Sequence, residues 1–213
     1  MFTHPTDLPT SRLHERLAAF ALAAMALFLA AAVAVHLLRP ALDGVDAQLS
    51  VYLVGPWSTL LRAGYVALAC AILALAIALY RVPPPASRSA APLLLFAIAA
   101  PALAITAFAP MRFPGEEQRL AHLVHATTAQ AAFLCTTVAM LLQAWRLRAA
   151  AAWRRIAPTL LAWAAACFAG VWVLALVRGL PRGASQKLLV LMILTWLALA
   201  ALRLRRGARP PGA

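Results

Sequence analysis

His122 and His125 stand three residues apart in an apolar stretch that also carries Thr128, Thr136 and Gln143. Imidazoles at that spacing share one side of a helix. With a carboxylate from Asp43 or Asp46 they make a candidate metal-ligand set, which would activate water for attack on a lipid ester or amide. The same rings, paired with His36, are candidate axial ligands for a b-type haem. A third chemistry needs no cofactor. Together with Asp43, Asp46, Ser50, Tyr52, Arg62, Gln186 and Lys187, the histidines offer donors, acceptors and cations to the headgroup of a lipid or small amphiphile. Ser50 as a nucleophile lacks a nucleophile-elbow sequence. Cys70, Cys135 and Cys167 fall inside apolar runs and form no motif, so neither a disulfide nor a thiolate metal site is expected. Two histidines do not by themselves single out a metal, and the pattern assigns no cofactor.

The elements that must position these residues are membrane spans. Taking roughly 20 apolar residues as the width of a bilayer, spans are predicted near 16–38, 56–80, 91–109, 120–145, 156–177 and 186–204. With 64% hydrophobic and 12% charged residues, a soluble body of 213 residues would have too little polar surface. The expected fold is therefore all-α, a single polytopic domain of six transmembrane helices. The first run has a basic start but is longer than a signal-peptide core, and it reads as a retained helix.

The net charge of +13 does not indicate nucleic acid, because the basic residues sit at helix ends rather than in a patch on a soluble body. Twelve of the nineteen Lys and Arg residues fall in the N-terminal segment, the second break, the fourth break and the tail. By the positive-inside rule both termini face the cytoplasm, and the chain belongs in the bacterial inner membrane. Asp43, Asp46, Glu116 and Glu117 lie on the opposite, outer side, leaving Asp7 and Glu15 within.

The breaks between runs are unequal. Residues 82–89 form a proline-rich cytoplasmic linker that cannot continue a helix. Pro101 interrupts the third run, where it removes a backbone donor. Trp57, Trp145, Trp153 and Trp172 lie near span ends, as interfacial anchors do. The outer loop 39–55 is long enough to do more than connect. Within it Asp43-Gly44 signals a turn, and the alternating Leu-Ser-Val-Tyr-Leu stretch fits two readings, a segment lying flat on the membrane surface or a capped re-entry loop. Arg62, two turns into the second span, calls for a carboxylate partner, with Asp43 and Asp46 the candidates.

The stretch RPALDGVDAQLSVYLVGPWSTLLRAGYVALA, followed late in the chain by GASQKLLVLMILTWLALAALRLRR, resembles the bacterial six-span membrane family catalogued as domain of unknown function 998. Its sharpest element is the Asp43, Ser50, Tyr52, Gly55, Pro56 pattern. Others are Phe113-Pro114 ahead of His122 and His125, and Gly183, Gln186 and Lys187 opening the sixth span. In that family the last position often resembles arginine, so Lys187 departs from it, and a bidentate anion contact is not expected there. The resemblance implies six helices and an integral membrane location. It brings no reaction, substrate or cofactor.

On a helical wheel His122, His125, Thr128, Ala129, Ala132, Thr136 and Gln143 occupy about one third of the fourth helix's circumference. Such a stripe faces protein or a water-filled cavity, since lipid offers it no partner. For Thr136 and Gln143 we expect hydrogen bonds between helices. The reading adopted is a protein that binds a lipid or small amphiphile, for transport or sensing, in a polar pocket at the outer face.

Overall fold

A computed structural model of the chain describes residues 8–109 and 119–207. Asp7, Arg112, Phe113, Pro114, Glu116, Glu117 and Arg209 lie outside them. Six helices form: α1 (Leu8–Leu38), α2 (Ser58–Tyr80), α3 (Ala90–Phe108), α4 (Arg119–Leu147), α5 (Ala157–Leu176) and α6 (Arg182–Gly207), with no strand among the described residues. All six are long and apolar enough to cross a membrane. Their even number places the start of α1 and the end of α6 on one face of the bundle, and the 39–57 loop on the other.

Local signals explain the helix ends. Ser89 caps α3 by accepting from Ala91 N, as short hydroxyl side chains do at an N-cap. Pro158 sits in the first turn of α5, where its missing N–H costs nothing. The sixth helix starts earlier than its apolar run because Ser185 N already bonds Pro181 O. Pro101 lies inside an α3 assigned as one helix, with its ring exposed.

Each helix packs on its neighbour in sequence, and α6 returns against α1, so the six close into a ring with α2 most enclosed and α5 least. Small residues allow the close approaches. Gly64 of α2 meets Ala31 and the Phe28 backbone of α1, and Gly170 of α5 meets Leu189 of α6. Polar side chains then join helices through otherwise spent carbonyls. Gln143 Nε2 donates to Leu79 O at 3.0 Å, Trp163 Nε1 to Met192 O at 2.9 Å and Trp196 Nε1 to Leu160 O at 2.8 Å. Thr106 Oγ1 reaches Thr128 Oγ1 at 2.9 Å between α3 and α4. The expectation of an interhelical bond holds for Gln143. Thr136 instead lines a cavity at the bundle centre. Trp57, Trp145 and Trp172 are exposed, as anchors should be, but Trp153 is buried in the core.

Candidate functional site

The 39–57 loop does not lie flat beside the bundle but enters it. Of the two readings for residues Leu49–Leu53, the capped re-entry is the one that forms: they coil into a short 3-10 turn with Leu49, Ser50, Tyr52 and Leu53 buried. An isolated turn of this kind has few internal hydrogen bonds, so the bundle supplies the rest. Gln186 Oε1 accepts from Leu49 N at its start, at 3.0 Å. Arg39 Nη1 donates to Val54 O at 2.6 Å, and Arg62 Nη2 to Leu53 O at 2.9 Å, at its end. An acceptor at the start and cations at the end match the polarity of a helical turn.

Further contacts fasten the loop. Ala184 N donates to Val45 O at 2.7 Å, and Lys187 Nζ donates to Gly44 O. Tyr52 stacks on His36 with ring centroids 4.2 Å apart, while the Arg39 and Lys187 cations each lie 5.7 Å from its ring. Burial pushes the Tyr52 phenol above its ordinary range, with the Arg39 charge opposing and Asp43 assisting. The ring therefore stays neutral.

These contacts reassign several candidate residues. Arg62 pairs with a backbone carbonyl rather than with Asp43 or Asp46, because the 3-10 turn brings an open acceptor nearer than either carboxylate. Asp43 is exposed and accepts from Val45 N at 2.7 Å, closing its own turn. Asp46 is also exposed. Tyr52, Arg62 and Lys187 hold the loop.

Beneath the turn are two cavities. A chamber of about 70 Å³ at the bundle centre is mostly apolar, with Ser50, Thr106, His125, Thr136 and Gln186 in its wall. A larger cleft of about 420 Å³ runs between α4, α5 and α6, with Gln48, His122, Gln130 and Arg182 on its polar side and Phe133, Leu134, Val171 and Leu189 on its apolar side. From His122 to Leu134 it follows thirteen residues of α4, roughly 18 Å at the helical rise. Chamber and cleft share Ser50, His125, Ala129, Phe133 and Gln186 as common walls. His125 is the polar centre of that junction. Its Nδ1 donates to Ala109 O at 2.6 Å, satisfying a carbonyl at the end of α3, so Nε2 is the ring atom left for an occupant.

Of the nine candidates, Ser50, His122, His125 and Gln186 come together here. No group of three His, Cys, Asp or Glu residues is placed to hold a metal among the described residues, and neither aspartate lines the cavities of His122 and His125. His36 lines a separate groove between α1 and α6, and its Nδ1 donates to Ala32 O. It lines neither of the cavities that His122 and His125 line, so these cavities do not pair it with either ring as haem ligands. Gln48, Gln130 and Arg182 were missed as site residues. Spacing held a signal for one of them, since His122, Ala126 and Gln130 recur every four residues along one helical face.

A closed ring of six apolar helices, plugged on one face by a capped 3-10 turn, defines a multi-pass membrane protein with an internal cavity. The chain belongs to the family described as protein of unknown function (DUF998), whose model matches residues 22–203. No curated protein and no solved structure matches it.

Proposed function

We propose that this protein binds a lipid or other amphiphile in the cleft between α4, α5 and α6, for transport or sensing. The observation that carries this reading is the continuity of a polar mouth with an apolar interior at one junction. His122, Gln130 and Arg182 offer hydrogen bonds and positive charge to a headgroup, and the apolar wall leads an acyl tail toward the central chamber. The weak enclosure of α5 favours entry from the side, because little packing has to open there.

Ala129 faces both cavities, so Ala129→Phe fills their junction. Native mass spectrometry of the protein released from mild detergent is expected to show a bound amphiphile on the wild type. On Ala129→Phe we expect roughly a tenth of that occupancy, the loss of about 1.4 kcal/mol of binding. Leu142→Phe, on an exposed part of α4, serves as the control. Equal occupancy in all three proteins would remove the cleft as the binding site.

The orientation that accompanies this reading puts the 39–57 loop on the periplasmic side of a bacterial inner membrane, with both termini cytoplasmic. Its support is the excess of arginine on the terminal face. In a background without native cysteines, Gly44→Cys is expected to react with a membrane-impermeant thiol reagent once the outer envelope is permeable. Ala86→Cys should stay unlabelled until the inner membrane is broken. The reverse pattern would invert the assignment.

A further inference from the structure

The arginines of the terminal face are not equivalent. Arg88 is consumed by its own linker, donating to Pro83 O at 3.1 Å and Arg81 O at 3.3 Å, and Arg203 donates to Ala152 O at 2.6 Å. These side chains are already satisfied by carbonyls. Arg146 and Arg148, at the end of α4, donate to no acceptor among the described residues. Instead they border a pocket of about 300 Å³ completed by Ser87, Trp145 and Ala149. Arg148 lies 4.4 Å over the Trp145 ring, which holds the guanidinium plane in place while leaving its edge donors open. No acidic residue lines the pocket.

We propose that this pocket binds a phosphate group, as a phosphate ester presented between the 82–89 linker and the end of α4. A helix C-terminus repels anions, so recognition must come from side chains, and the two arginines supply it. Planar guanidinium donors match phosphate oxygens in pairs, and the Ser87 hydroxyl adds a third contact from the opposite wall. The exposed Trp145 sits where an apolar span ends, at the depth of lipid headgroups. The phosphodiester of an anionic phospholipid is therefore the expected source. A bound phosphate would also tie the proline-rich linker to α4, two segments that otherwise meet only loosely. This site is separate from the amphiphile cleft, and neither depends on the other.

The test uses the full chain in mild detergent, read by thermal unfolding and by counting bound lipid in native mass spectra. Phosphatidylglycerol is compared with phosphatidylcholine, and glycerol 1-phosphate with buffer alone. Phosphatidylglycerol is expected to raise the unfolding midpoint where phosphatidylcholine does not. R146Q/R148Q should bind it roughly thirtyfold more weakly, about 2 kcal/mol for the two cations lost. R154Q/R155Q removes the same charge from the same face and should retain wild-type binding. If glycerol 1-phosphate reproduces the shift, the site stands and its source is a soluble ester. Equal weakening in both double variants would mean diffuse attraction, and would overturn the site. So would a lack of preference for phosphatidylglycerol. Should R146Q/R148Q not fold, Ser87→Leu closes the pocket without changing charge, and unaltered binding in that variant would overturn the proposal equally.

Discussion

Gly183→Ala is expected to lower the stability of the detergent-solubilised protein by about 2–4 kcal/mol, near the upper end for a single substitution. A Cβ at Gly183 would lie 2.5 Å from Ala47 O and 2.6 Å from Val45 O. Both are backbone atoms, so neither can rotate away. Relief requires the loop to lift from α6, which breaks the bond from Ala184 N to Val45 O and loosens the Gln186 cap on the 3-10 turn. Gly179→Ala is the matched control, since nothing lies within 4 Å of a Cβ there. Because the turn roofs the chamber and carries Ser50, the Gly183 variant should also lose bound amphiphile. Similar unfolding midpoints for the two variants would show that the loop does not need its seat on α6.

Arg62→Ala should cost about 1–3 kcal/mol, since it leaves Leu53 O without its donor in a partly buried site. The decisive measurement is coupling. With Asp43→Ala or Asp46→Ala the losses are expected to add within about 0.5 kcal/mol, as they do for residues that share no partner. With Arg39→Ala they should not add, because Arg39 and Arg62 hold neighbouring carbonyls at the end of one short turn. Once the turn has loosened, losing the second donor costs less. Strong coupling of Arg62 to either aspartate would restore the ion pair that the sequence pattern invites.

The six spans were legible because they answer to a one-dimensional rule. A bilayer of fixed thickness demands a minimum run of apolar residues, whatever those residues later touch. Helix ends shifted where capping or proline chemistry added turns, as at Pro181 before α6. The inward stripe of α4 was legible for a related reason: lipid cannot satisfy His125, Thr128 or Gln143, so these face protein. The roles of the cations were not legible. Arg62 and Lys187 read as cations for a headgroup, yet each, like Arg39, is spent on a carbonyl of the 39–57 loop. Composition cannot reveal this, because every residue carries the same carbonyl and only folding decides which are left open.

What the sequence by itself determined is the class of protein: the number of spans, their approximate ends, the polar face of α4 and the family pattern in the 39–57 loop. Each follows from residue type and spacing along a single segment. Only the tertiary structure decided that the loop enters the bundle as a capped turn, that α6 closes the ring on α1, and that His122 and His125 share a cleft with Gln186 rather than with Asp43. Those outcomes rest on bonds such as Leu49 N to Gln186 Oε1, between residues 137 positions apart. At that separation no local periodicity records the contact. It exists because ring closure brings the two segments together and leaves a bare amide beside a side chain that accepts from it.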